Sequence, residues 1–200
     1  MILSLDTTSE YGSLALTGGS GTVAEVAIHA PEGFGHILFE EVAGLLARAG
    51  VKLADIACFA ATSGPGSFTG VRVGLAAVKG LAEALNKPVV AVSNLQALAW
   101  FGTAPLRATV LDARRGEIYG AVYDARLALV QPETVMKQSA WTETLPASGA
   151  ELVEMVAGRV LAGAVGRIAW DRWRAGLASD PATVDANYVR RSDAELFWKE

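Results

Sequence analysis

The chain opens with three short segments of β pattern. Ile2-Leu3-Ser4-Leu5 predicts a strand ending at Asp6-Thr7-Thr8-Ser9, and Ser13-Leu14-Ala15-Leu16 alternates as a second after a turn at Glu10-Tyr11-Gly12. The stretch Gly18 to Gly21 turns the chain again, and Thr22 to Ile28 alternates as a third. The apolar period then lengthens to that of a helix, predicted from about Phe34 to Ala49 and stopped by Gly50. Leu38, Phe39, Val42, Leu45, Leu46 and Ala49 form its apolar stripe, with Glu40, Glu41 and Arg48 off it. Ile56 to Ala61 reads as a buried strand, Gly64 to Gly70 as a loop and Val71 to Leu85 as a second helix. Pro88 to Val92 comes next as a strand and Leu95 to Phe101 as a short helix. Such an order mixes an antiparallel meander with right-handed crossovers and is that of a ribonuclease-H-like α/β lobe.

The opening pattern recurs. Ala108-Thr109-Val110-Leu111-Asp112 is again a strand ending in Asp; after Arg114-Arg115-Gly116, Glu117 to Tyr123 forms a second and Leu127 onward a third. This weak internal duplication predicts two related lobes, residues 1–103 and 104–200, with the boundary at Thr103-Ala104-Pro105 and the C-terminal tail able to join the first. The second lobe is reduced, because residues 139–180 hold too little strand pattern for a full copy.

Composition narrows the classes of function. Two hundred residues that are 52% hydrophobic and 19% charged, with a mean hydropathy of +0.32, describe a folded chain and not a disordered one. Seventeen Lys and Arg against 21 Asp and Glu give a net charge of −4, whereas a protein that holds nucleic acid by its own charge carries a basic surplus. Any role in RNA chemistry is therefore expected to run through a partner or a small local patch. Cys58 is the single cysteine, which excludes an internal disulfide and a multi-cysteine zinc site; in its apolar run it reads as a small buried hydrophobe. The N-terminal apolar run has no basic flank and is broken by Asp6, and the uncharged stretch from Pro88 to Leu106 holds two prolines, Ser93, Asn94 and Gln96. No membrane span and a cytoplasmic location are expected.

Candidate chemistry is sparse. The loop Gly64-Pro65-Gly66-Ser67-Phe68-Thr69-Gly70 lies between strand and helix, where backbone N–H groups can cradle an anion, but its spacing fits neither phosphate-loop fingerprint. Pro65 also stands where a nucleophile elbow needs its first glycine, so a turn with close backbone packing is the favoured reading. Asp6, Thr7 and Thr8 at a strand end could hold a metal-bound phosphate, or could simply satisfy the turn; the pattern leaves both open. His29 and His36 form no metal motif, and no catalytic triad is apparent.

The second helix is more informative. Val71, Leu75, Val78, Leu81 and Leu85 fill one flank, while Val73, Ala76, Ala77, Gly80 and Ala84 make the other small or apolar. Small residues let another helix approach closely. These five, with Ile37 at the start of the first helix, suit a helix–helix contact; packing of the first helix against that flank is the favoured reading, and an interface with a partner is the alternative.

The chain resembles the TsaB (YeaZ) family at Leu5-Asp6-Thr7-Thr8-Ser9, at Gly64 to Gly70, at Val71-Arg72-Val73-Gly74-Leu75-Ala76 and at Lys79-Gly80-Leu81. The likeness continues through Pro88 to Ser93, Leu111-Asp112-Ala113-Arg114-Arg115-Gly116-Glu117-Ile118-Tyr119 and the tail Asn187-Tyr188-Val189-Arg190. It implies a two-lobed fold of the actin and sugar-kinase class, and a partner subunit of the TsaD enzyme in synthesis of N6-threonylcarbamoyladenosine at tRNA position 37. TsaD carries the transfer chemistry with a metal held in part by an H-x-x-x-H motif. The corresponding stretch here is Asn94-Leu95-Gln96-Ala97-Leu98, without either histidine, which argues against a metal, a peptidase activity or independent transfer. The resemblance further implies pairing through first-lobe helices, the ATPase TsaE as a further member of the complex, tRNA met only through the complex, a homodimer when alone, and no cofactor. A small nucleotide-binding phosphotransferase or ATPase using Asp6, Thr7, Thr8 and Asp112 is the competing expectation.

Overall fold

A computed structural model describes residues 1–189, so Arg190 of the tail motif lies outside the described residues. The first sheet has the order β3-β2-β1-β4-β5, built from β1 (Ile2–Asp6), β2 (Tyr11–Gly18), β3 (Gly21–His29), β4 (Cys58–Thr62) and β5 (Val89–Val92). β1, β2 and β3 pair antiparallel, while β4 joins β1 and β5 in parallel through the crossovers α1 (Leu38–Ala49) and α2 (Phe68–Leu85). After α3 (Asn94–Ala99) comes a second sheet of order β8-β7-β6-β9, from β6 (Leu106–Asp112), β7 (Glu117–Asp124), β8 (Leu129–Lys137) and β9 (Glu151–Glu154). It repeats the first sheet's antiparallel meander and its parallel fourth strand. The architecture is the α/β, two-lobed one that the internal duplication predicts, of the actin/sugar-kinase-like class that the resemblance implies.

Side-chain alternation along the strands assigns the layers. Leu3, Leu5, Leu14, Leu16, Phe59 and Ala61 face one side, where α1 and α2 cover them. Ile2, Cys58, Ala60, Val90 and Val92 face the other, covered by α3 and by α5 (Ala162–Arg174). Cys58 is fully buried there, and burial pushes its thiol up to about 12.

The chain's return to the first sheet is the main feature absent from the sequence pattern. The second sheet ends at Glu154, and the segment from Leu161 onward packs on the first. Ser4 on β1 donates from Oγ to the Ala162 carbonyl at 2.7 Å, and the Ala162 N–H donates to Ser13 Oγ at 3.0 Å. Gly166 faces Thr17 and Ser4 so closely that a Cβ would overlap the Thr17 hydroxyl, and the helix rests almost on the strands. Val89 and Ser179 then pair as a bridge, Val184 enters the core under α2, and Lys79 Nζ donates to the Val184 carbonyl at 2.8 Å. α4 (Gln138–Glu143), which covers the second sheet with Trp141, and β9 also go beyond the expected elements.

Two helix details differ from expectation. α1 starts at Leu38 because Phe34 turns into the core ahead of it. Phe39, placed by periodicity on the apolar stripe, is 59% exposed. α2 begins at Phe68, where Ser67 Oγ accepts from the Gly70 N–H at 3.3 Å and caps it.

Candidate functional site

The end of β1 is closed on itself. Asp6 is buried, and its Oδ1 accepts from the Thr8 N–H at 3.1 Å, the Thr8 hydroxyl at 2.7 Å and the Thr62 hydroxyl at 2.9 Å. Loss of water raises its pKa, and these hydrogen bonds oppose the rise. Thr7 Oγ1 donates to the Gly70 carbonyl at 2.7 Å, and the Ser67 N–H donates to the Thr8 carbonyl at 2.7 Å. The start of α2 therefore lies directly on the β1 turn. Glycines allow this approach: a Cβ at Gly66 would stand 2.7 Å from Thr8 Cβ, one at Gly74 2.5 Å from Thr7 Oγ1, and one at Gly70 would overlap the Thr7 carbonyl. Asp6, Thr7 and Thr8 are brought together as a turn sewn to a helix.

Asn94, at the head of α3, extends the same network. Its Nδ2 donates to Thr8 Oγ1 at 2.6 Å, and its Oδ1 accepts from the Gly64 N–H at 3.0 Å. Leu98, four residues on, is fully buried in the core between the sheets. An engaged amide and a buried leucine do not fit the metal set implied for the paralogous enzyme, and among the described residues no three His, Cys, Asp or Glu side chains converge. Asp112 ends β6 as Asp6 ends β1, but it is exposed and accepts from its own loop, the Arg114 N–H, at 2.7 Å. Among the described residues no hydrogen bond joins the two aspartates. His29 stacks on Tyr11 with centroids 4.4 Å apart, and His36 is exposed.

The lobes meet at a second polar group centred on Glu133, a residue in no sequence motif. Glu133 on β8 accepts at Oε1 from the Ser93 hydroxyl and, at 2.5 Å, from the Tyr123 hydroxyl, and at Oε2 from Asn187 Nδ2 at 2.6 Å. Burial and the neighbouring carboxylate raise the Tyr123 pKa, holding its proton for that bond. Asn187 in turn donates its N–H to the Ser63 carbonyl at 2.7 Å, so one carboxylate ties β8, the head of α3 and the C-terminal segment together.

The outer face of α1 and α2 is different in kind. Ala76, Gly80 and Ala84 are exposed or half-buried along one side of α2, and Val73 is half-buried beside them. Ala77 is 7% exposed and belongs to the core under the helix, so it leaves the expected partner surface: its place on the wheel lies just inside the rim, next to Gly74 and Leu81. Ile37 is half-buried in the groove between α1 and β3, away from the α2 stripe. Phe39, Ala43 and Ala47 give α1 an outward apolar ridge of its own. The stripe on α2 begins at Arg72, whose guanidinium lies 3.7 Å from the Phe68 ring centroid and whose Nε donates to the Tyr188 hydroxyl at 3.0 Å. Among the described residues no carboxylate pairs with it. Phe68 and Tyr188 are themselves 40% and 46% exposed. The sequence signals for this group are the pair Phe68 and Arg72 at helical spacing and, separately, the tail stretch that holds Tyr188; nothing in the sequence joins the two, 116 residues apart.

A family model described as "TsaD: tRNA N6-adenosine threonylcarbamoyltransferase" matches residues 27–155. A protein of Escherichia coli (strain K12) named tRNA threonylcarbamoyladenosine biosynthesis protein TsaB is 37% identical over 126 residues, 61% of this chain and 54% of that protein. The protein of the same name from Bacillus subtilis (strain 168) is 31% identical over 149 residues, 72% of this chain and 65% of its own length. The match thus spans between half and two thirds of these curated relatives. A solved structure from Pseudomonas aeruginosa, described as an uncharacterized protein with similarity to peptidase YEAZ, superposes with a TM-score of 0.80 at 28% identity, over 94% of this chain and 99% of that one.

Proposed function

Because this chain belongs to the family of that TsaD model, and within it to the TsaB (YeaZ) proteins, we propose that it is a non-catalytic subunit of tRNA N6-threonylcarbamoyladenosine synthesis that binds and activates a TsaD paralogue. The observation that carries this reading is the pairing of a closed β1 turn with an open two-helix face. Asp6, Thr7, Thr8 and Asn94 are engaged in internal hydrogen bonds, whereas Ala76, Gly80 and Ala84 present an exposed small-residue seam. Arg72, pinned by two aromatic rings at one end, is a preformed cation for a partner carboxylate. Glu83 stands near the other end, so an antiparallel second copy of α2 would set opposite charges together, which supports a homodimer when the paralogue is absent. tRNA and the ATPase TsaE are met through the complex, in the cytoplasm; the acidic net charge agrees with this, and among the described residues no helix is long and apolar enough to cross a membrane.

Gly80→Glu tests it. A Cβ at Gly80 meets nothing within 4 Å, so the fold has room for the new side chain, and helix propensity improves by about 0.5–1 kcal/mol. Light scattering on mixtures with the TsaD paralogue should show the wild-type heterodimer, and at least a tenfold weaker one for Gly80→Glu at a melting temperature no lower than that of wild type. Equal binding by both removes the proposed seam.

A further inference from the structure

On the side of the first sheet away from α1 and α2, a cavity of about 340 Å³ opens between β3, the end of α3 and the start of α5. Its size sits at the small end of ligand sites, which begin at about 300 Å³. Trp100 and Phe101 line it from the turn after α3, and both are more than a third exposed. Arg159 and Arg167 line it as well. Arg159 stacks over Phe101 at 4.7 Å from the ring centroid and donates to the Glu154 carbonyl, while Arg167 makes one long contact, 3.5 Å, to the Gly18 carbonyl. Neither guanidinium has an ion-pair partner among the described residues. Glu25 of β3 completes the wall: its Oε1 accepts from the Gly163 N–H at 2.6 Å, and its Oε2 has no hydrogen-bond partner among the described residues. Its carboxylate head is drawn under α5, where burial raises its pKa and the Gly163 N–H opposes the rise.

We propose that this cavity binds a guanine nucleotide, with the base against Trp100, its paired N–H donors on the Glu25 carboxylate, and its phosphate between Arg159 and Arg167. Each part rests on the groups present. An exposed indole lining the same cavity as two guanidiniums suits a flat heterocycle. A carboxylate only accepts, and guanine is the common base whose pairing edge places a ring N–H next to an amino group; adenine and cytosine each set one donor beside an acceptor. Two unpaired guanidiniums then attract an attached phosphate, which inorganic phosphate alone shares without the base contacts.

The test is calorimetric titration of the full chain with guanosine, inosine and adenosine monophosphates, inorganic phosphate and a short guanosine-containing single-stranded RNA. Guanosine monophosphate should bind at or below about 1 mM, and the inosine and adenosine forms at least about tenfold more weakly. Glu25→Gln keeps an oxygen for the Gly163 N–H but removes the double acceptor, so it should lose that discrimination while its melting temperature holds. Arg159→Ala should weaken binding and flatten its dependence on salt. The nucleotide and the RNA should compete for the one site, and the tighter of the two identifies a free nucleotide or a strand as the source. Failure of the mononucleotide and the RNA to bind, equal affinity for guanosine and inosine forms, or unchanged binding by Glu25→Gln would each overturn the proposal.

Discussion

β1 and β6 begin the two sheets alike: each ends in an aspartate, pairs antiparallel with the next strand, and lies parallel to a fourth. Their ends then diverge. Asp6 is 4% exposed, ringed by Thr8, Thr62 and the Thr8 N–H, and covered by α2. Asp112 is exposed and satisfies an N–H of its own loop. The cause is the element attached to the fourth strand of each sheet. β4 leads into α2, whose glycines seat on the β1 turn, while β9 leads the chain back to α5 on the first sheet, and no helix among the described residues seats on the β6 turn. A duplicated backbone plan thus fixes where an aspartate stands, and the covering helix decides whether it is a buried structural group or a solvated turn residue.

The sharpest way to break the contrast is to unseat the helix. Gly70→Ala places a methyl on the Thr7 carbonyl, backbone against backbone with no flexible side chain to yield. It should cost about 3 kcal/mol or more by urea denaturation. A cost within a few tenths of a kcal/mol, about the effect of a surface change, would mean that α2 does not bear on the turn at all.

Much of this contrast is legible in the sequence, and the illegible part has physical reasons. The β1 and β6 strands, their aspartates and the glycine-rich loop announce themselves through alternation and turn residues. α5 does not, because its buried face is largely Ala162, Gly163, Ala164, Gly166 and Ala169, residues that pack by close approach and give almost no hydrophobic signal. Periodicity misplaces Ala77 and Phe39 for a shared reason: it finds the axis of a helix's apolar face but not its rim. There, a small residue can be covered by its neighbours and a large one can protrude. The bonds of Glu133 to Ser93 and Asn187 and the Arg72–Tyr188 pair join residues 40 or more positions apart, which no local pattern encodes.

A second test acts on Asp6 itself. Asp6→Ala leaves three donors without their acceptor and should cost about 2 kcal/mol. Asp6→Asn separates charge from geometry, since an amide oxygen can still accept at Oδ1. The folded-state pKa of Asp6 lies above the ordinary 3.8, so the folded chain holds the proton more tightly than the unfolded one. Its contribution to stability is therefore complete below 3.8 and is lost as pH rises through the folded-state value. Wild type should lose stability relative to Asp6→Asn over that rise, measured by denaturation at a series of pH values. A constant difference across the series would show that Asp6 is not desolvated in the fold.

Asp112→Ala is the matched small effect, and it decides whether the comparison holds. The lost bond is one exposed carboxylate accepting from the Arg114 N–H, a group that water can reach once the side chain is gone. The turn it serves carries Arg114, Arg115 and Gly116 at φ of 65°, 56° and 75°, so the aspartate helps to hold an unfavourable stretch of left-handed backbone. An exposed hydrogen bond of this kind is worth about 0.5 kcal/mol. Its removal should lower stability by about that amount, with no change in binding to the TsaD paralogue. A loss matching that of Asp6→Ala would mean the second aspartate is covered by something in solution, and the covered and uncovered ends of the duplicated strand would no longer be distinct.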